Sequence, residues 1–195
     1  MPGKSSLVRF LHKRYMEFKR FPLEGPVEII PRRFGDARGY FFESYSYRIF
    51  AENGITTEFV QDNQSVSQKG VLRGLHFQEP PYAQAKLVRV AAGRALDVAV
   101  DIRKNSPTYG QHITCELDAE KNNMFFVPEG FAHGFAALTD NTIFLYKCSN
   151  YYYPAAEGGL LWNDPALGIN WGVTNAIISP KDVVLPTLQE LNAPF

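Results

Sequence analysis

Between Leu96 and Ile102 the chain alternates with a period of two: Leu96, Val98, Val100 and Ile102 are separated by Asp97, Ala99 and Asp101. That period belongs to a strand with two unlike faces and excludes a helix over the same residues. Ala92-Gly93-Arg94 supplies a turn ahead of it, so Lys86 to Ile102 reads as a β-hairpin. Similar runs follow the same grammar at Arg38–Ser46, Phe59–Ser67, Val71–Gln78, Gly110–Leu117, Asn123–Val127, Phe131–Ala137 and Thr142–Asn150, each bounded by Gly, Pro, Asn or Asp. Only Ser46–Asn53 reads as a short helix. Many short strands with few helices suggest a sandwich, a jelly roll or a closed barrel. After Pro154 the chain is rich in Gly and Pro, and it is expected to wrap the barrel with turns or one-turn helices.

The 195 residues suffice for one domain with a sizeable core. Residues 1–15 stand apart, with Lys4, Arg9, His12, Lys13 and Arg14 and no acidic residue before Glu17. They read as an extension ahead of a natural start at Met16, a basic targeting segment being the other reading, which leaves 16–195 as the single domain. Formal net charge is zero, so no long-range field draws the chain to nucleic acid or to an anionic membrane. No apolar run approaches the ~20 residues that cross a bilayer. Cys115 and Cys148, each within a strand-like run, read as packed, reduced thiols, and the expected location is the cytoplasm.

Walker-type loops, dinucleotide fingerprints, nucleophile elbows and Cys-x-x-Cys pairs are missing, which argues against nucleotide-driven phosphoryl transfer, dinucleotide redox chemistry and serine hydrolysis. What stands out is Gly70-Val71-Leu72-Arg73-Gly74-Leu75-His76-Phe77-Gln78. Strict alternation would place Arg73 and His76 on opposite faces; a bulge at Gly74 would bring both to one. A second stretch, Pro128-Glu129-Gly130-Phe131-Ala132-His133-Gly134-Phe135, resembles the second signature of the cupin jelly rolls. The earlier strand reads His76-Phe77-Gln78 without a second histidine, so a three-histidine metal site is incomplete unless His112 folds inward, and no metal is expected.

Taken together, Phe59-Val60-Gln61-Asp62-Asn63, Val71–Gln78, Lys86-Leu87-Val88-Arg89-Val90, Leu96–Arg103 and Pro128–Phe135 resemble the dTDP-4-dehydrorhamnose 3,5-epimerase family. Tyr146-Lys147-Cys148, Trp162-Asn163-Asp164-Pro165 and Ser179-Pro180-Lys181-Asp182 follow in the family's order, and the likeness covers nearly everything after Met16. It implies a mostly-β, cupin-like jelly roll with short peripheral helices. The implied reaction inverts C3 and C5 of a dTDP-4-keto-6-deoxy sugar by removing protons beside the C4 ketone.

By this resemblance His76 is the base, Asp182 its dyad partner, Lys86 faces the developing C4 oxyanion and Tyr146 returns a proton from the other face. Each role suits its residue, since imidazole titrates near neutrality and an ammonium stabilises an enolate. Arg73 and His133 match positions that hold the diphosphate or the sugar; Gln61, Asn63, Glu157 and Lys181 match further substrate contacts. Tyr152 matches the position that stacks on thymine, with Tyr151 and Tyr153 beside it leaving the register open. Arg38 and Glu43 match residues lent to a neighbouring subunit's site, which implies a homodimer. No cofactor is implied, because the activating ketone is in the substrate.

Residue types alone support blander readings: Asp182 with Lys181 as a solvated surface pair, Tyr146 as core or interface, Lys86 as an exposed lysine. Three other functions stay open beside the double epimerase. They are inversion at C3 or C5 only, a metal-dependent cupin, and a sugar-nucleotide binding module without catalysis.

Overall fold

In the computed structural model, which describes residues 15–195, the described residues form thirteen strands and one α-helix. The expected extension over residues 1–15 lies, apart from Tyr15, outside the described residues. In chain order the elements are β1 (Met16–Arg20), β2 (Val27–Pro31), β3 (Phe34–Asp36), β4 (Gly39–Phe41), α1 (Tyr47–Glu52) and β5 (Gln61–Ser67). They continue with β6 (Leu72–Gln78), β7 (Lys86–Ala92), β8 (Arg94–Asp101), β9 (His112–Asp118), β10 (Met124–Val127), β11 (Phe131–Ala137), β12 (Thr142–Cys148) and β13 (Glu157–Gly159).

Two antiparallel sheets face each other in a jelly roll. One has the order β1-β2-β10-β7-β12-β5, the other β13-β6-β11-β8-β9. Inward-pointing residues of both sheets make the central core: Val88 and Val90 of β7, Phe125 of β10 and Phe144 of β12 meet Ala99 of β8, Leu117 of β9 and Phe135 of β11. The rings of Phe135 and Phe144 stack across the gap with centroids 3.8 Å apart.

Both sheets are also covered outside. Val98, Val100 and Ile102, the apolar side of the alternating run, point away from the barrel interior and pack under the C-terminal wrap with Leu160, Leu167 and Trp171. On the other sheet α1 buries Ile49 and Phe50 against Ile29, Leu87 and Met124. The wrap holds two one-turn 3-10 helices, Pro154–Ala156 and Asp182–Val184, as its composition suggests.

The hairpin expected over Lys86–Ile102 does not form. Both halves are strands, but β7 pairs with β10 and β12 whereas β8 pairs with β9 and β11, so the turn at Gly93 carries the chain from one sheet to the other. Gly93 suits this corner because its φ is +77° and a side chain there would run into Thr139 and Thr142. The strand expected over Arg38–Ser46 is also shorter. Only Gly39–Phe41 pairs, with Phe34–Asp36, as a small separate hairpin whose six strand residues are all exposed.

Candidate active site

At one end of the barrel the inward positions turn from apolar to polar. Gln61, Asn63, Ser65 and Ser67 occupy alternate places on β5, Tyr146 and Cys148 continue the inward row of Phe144 on β12, and Lys86 begins β7. Two adjoining cavities of about 490 and 430 Å³ open among them, and His76, Lys86 and Tyr146 line both. Arg73, His133, Phe135, Phe144, Lys181 and Asp182 belong to the larger half; Gln61, Asn63, Tyr152 and Glu157 belong to the smaller.

His76 owes its direction to Gly74. Leu72, Leu75 and Phe77 pack in the outer cluster, yet Arg73 and His76 both face the cavity, so β6 carries one extra residue between them. The pairing of β6 with β11 shifts register at this point, as the bulge reading expected. Gly74 has φ +122°, and a Cβ there would lie 2.5 Å from Gly134 Cα, so two glycines let the strands touch.

His76 Nε2 is 2.7 Å from Oδ1 of Asp182, which is buried. The Gly74 backbone N–H donates to the other carboxylate oxygen at 3.4 Å. The bland reading of Asp182 as half of a solvated pair with Lys181 therefore fails: Lys181 pairs with Glu157 at 2.5 Å. With Nε2–H donated to Asp182, the lone pair of a neutral imidazole sits on Nδ1. Burial draws the His76 pKa below its ordinary 6.5, outweighing the upward pull of Asp182, while Lys86 and Lys181 push it down further. The carboxylate thus orients and supports the ring, but the net shift is downward, toward the neutral imidazole that a base requires.

Lys86 and Tyr146 stand on the opposite sheet. Burial lowers the Lys86 ammonium from 10.5 and raises the Tyr146 phenol from 10.0. Neither side chain hydrogen-bonds within the described residues, so both are available to a guest.

The other expected contacts divide. Arg73 leans on Ser67 Oγ at 3.2 Å. Gln61 donates to Asn63, accepts from the Tyr152 backbone N–H, and Asn63 donates weakly to Cys148 Sγ at 3.7 Å. Tyr152 donates its hydroxyl to Glu157 at 2.9 Å. Of the three consecutive tyrosines it alone lines the smaller cavity, because Tyr153 stacks on Tyr82 and Tyr151 is 66% exposed. Arg38 and Glu43 reach neither cavity: Arg38 pairs with Asp36 at the exposed hairpin.

Two residues at the site were not singled out in the sequence. Asp97, fully buried on β8, lies 2.8 Å from His133 Nε2, and Ser65 turns a buried, unpartnered hydroxyl beside the larger cavity. The only signal for Asp97 was an acid on the polar side of an alternating strand. No group of three or more metal-ligating side chains converges among the described residues; Nε2 of both His76 and His133 is taken by a carboxylate. Cys115 and Cys148 are free and buried.

A cupin-like jelly roll that sets a histidine–carboxylate pair on one wall and a lysine and tyrosine on the other defines an acid–base isomerase. Comparison with known proteins narrows that class. The chain belongs to the dTDP-4-dehydrorhamnose 3,5-epimerase family, whose model matches residues 20–190. It is 53% identical over 162 residues to the dTDP-4-dehydrorhamnose 3,5-epimerase of Salmonella typhimurium, covering 82% of this chain and 88% of that one. The crystal structure of the Elizabethkingia anophelis enzyme of the same name superposes with a TM-score of 0.88 at 45% identity, covering 91% of this chain and 99% of that one. A dTDP-6-deoxy-D-glucose-3,5-epimerase from Legionella pneumophila, solved with dTDP-4-keto-L-rhamnose, gives a TM-score of 0.88 at 44% identity over 92% and 96% of the two chains.

Proposed function

We propose that this isomerase inverts C3 and C5 of dTDP-4-keto-6-deoxyglucose, giving dTDP-4-keto-L-rhamnose, without a redox cofactor. The observation that carries the reading is the placement of His76 on the five-stranded sheet and Tyr146 on the six-stranded sheet, across one cavity that Lys86 also lines. Protons beside a ketone are acidic only if the enolate is stabilised as it forms. His76 Nδ1 removes the proton from one face, the Lys86 ammonium meets the charge growing on the C4 oxygen, and the Tyr146 hydroxyl delivers a proton to the other face. Removal and return from opposite faces is inversion, and each positioned group contributes roughly a hundred- to ten-thousandfold. Repetition at the second carbon uses the same three groups.

Arg73 and His133 hold the sugar or diphosphate in the larger half; Tyr152 stacks on the base in the smaller half, with Gln61, Asn63, Glu157 and Lys181 around it. The dTDP-4-keto-L-rhamnose held by the Legionella relative supports this substrate class. The exposed β3–β4 arm, with Phe34, Tyr40 and Phe41 bare on it, supports a homodimer in which Arg38 and Glu43 enter the partner's cavity. Residues 16–195 act as one domain. Free, buried thiols fit the cytoplasm, and no helix among the described residues is long and apolar enough to cross a membrane.

The deciding experiment is proton exchange: the protein is incubated with dTDP-4-keto-6-deoxyglucose in heavy water, and deuterium at C3 and C5 is followed by NMR. Incorporation at both carbons, lost in His76→Ala, is expected. Incorporation at one carbon would make the enzyme a mono-epimerase, and tight binding without exchange would leave a binding module.

A further inference from the structure

His133 and His76 are cross-strand partners on β11 and β6, and each ring directs Nε2 at a carboxylate. Their surroundings differ. Asp182 accepts a second hydrogen bond from Gly74, and Lys181 adds an attractive charge. Asp97 is fully buried, and its two oxygens lie 2.8 and 3.0 Å from the single His133 nitrogen, its one hydrogen-bonding partner among the described residues. The polar side chains that line the cavity with His133 are Arg73 and His76 from β6, Lys86 from β7, Ser65 from β5, Tyr146 from β12, and Ser179, Lys181 and Asp182 from the C-terminal wrap.

Proton count decides what such a pair can do. With one shared proton it is a carboxylate beside a neutral imidazole, a net negative charge sealed from water with one hydrogen-bond partner, which is costly. With two protons the pair is neutral, whether written as carboxylate–imidazolium or as carboxylic acid–imidazole, and in both forms one proton sits on Nδ1. Among the described residues His133 makes its side-chain hydrogen bonds through Nε2 alone, and the residue lines the larger cavity.

We propose that the Asp97–His133 pair holds two protons in the resting enzyme, and that Asp97 is a positioning residue through which His133 presents a fixed Nδ1–H donor to a substrate oxygen. The two imidazoles then face the substrate with opposite chemistry, a lone pair from His76 and a proton donor from His133. Burial pushes the Asp97 carboxyl above its usual range, against the downward pull of His133 and Lys86, which agrees with a pair that retains its protons. The consequence for turnover rests on the epimerase reading; the proton count does not.

The test is 15N NMR of histidine-labelled, substrate-free protein at pH 7, with His133→Gln assigning the signal among the four histidines. A protonated Nδ1 is expected for His133; a bare one overturns the proposal whatever the activity. Kinetics give the second arm. In Asp97→Asn the amide N–H can donate to Nε2 as a carboxylic acid would, so kcat/KM should stay within about tenfold of wild type, whereas Asp97→Ala should lose about a hundredfold or more. Equal losses in the two variants would mean that Asp97 acts as a buried anion, and the proposal would fall. If Asp97→Ala does not fold, the wild-type spectrum still decides. A wild-type protein with no epimerase activity would sink the functional reading and leave that spectrum informative.

Discussion

Asp182 reaches His76 from 106 positions further along the chain, placing Oδ1 2.7 Å from Nε2. The pair sets a first expectation. Asp182→Asn should keep the fold, because the amide can still accept the imidazole proton, but it removes the charge that stabilises the imidazolium formed on proton abstraction. A fall in kcat/KM of about a hundredfold or more is expected, and an unchanged value with a native circular dichroism spectrum would remove Asp182 from the mechanism.

The pH profile follows from the three shifted groups. His76 must be neutral to act, and burial holds its pKa below 6.5, so the midpoint of the acid limb of kcat/KM should lie below pH 6.5. Lys86 must be charged, and burial lowers it from 10.5, while Tyr146 is held above 10.0 in its active, protonated form. The alkaline limb should therefore belong to Lys86. Lys86→Arg should move that limb upward while lowering the rate; a limb that stays in place would assign it to another group.

Gly74→Ala should cost about 2–5 kcal/mol, combining a left-handed φ of +122° with a methyl 2.5 Å from Gly134 Cα. Urea unfolding measures it. A loss below about 1 kcal/mol would show that β6 can move from β11 without harm.

Asp101 gives a pH-dependent stability far from the chemistry. Burial would raise its pKa, yet hydrogen bonds from Arg103, Ser106 and Thr108 bring it down to about 2. A folded-state pKa below the ordinary 3.8 stabilises the fold above pH 3.8, and that contribution is lost as pH falls through about 2. Asp101→Asn should lower the urea midpoint at pH 7 and flatten its dependence between pH 4 and pH 2. Parallel curves for variant and wild type would contradict the assignment.

Local pattern revealed strands but not their partners. Thr142–Cys148 and Phe131–Ala137 were legible because alternation and flanking turns are properties of neighbours in sequence. Gly93 misled because a two-sheet corner and a hairpin turn use the same residue types, and only distant pairing distinguishes them. Asp97 escaped for a related reason. When both faces of a sheet are covered, the apolar side of a strand does not mark the barrel interior, and here Val98 and Val100 pack outward while the acid points in. The bulge at Gly74 was readable, since glycine between two functional residues on a strand has few other uses. Which of three adjacent tyrosines meets the cavity could be settled only by the stacking of Tyr153 on Tyr82.

The C-terminal wrap leaves a ribosome after every strand of the barrel, and it carries Asp182. Every strand of both sheets, β13 included, is synthesised before His76 acquires its carboxylate. Whatever the strands have formed by then, Lys86 and Tyr146 included, the base stays without its carboxylate until the wrap has emerged. A single proteolytic nick between Gly159 and Asp182 that released the wrap would return a finished molecule to that unarmed state without cutting a strand.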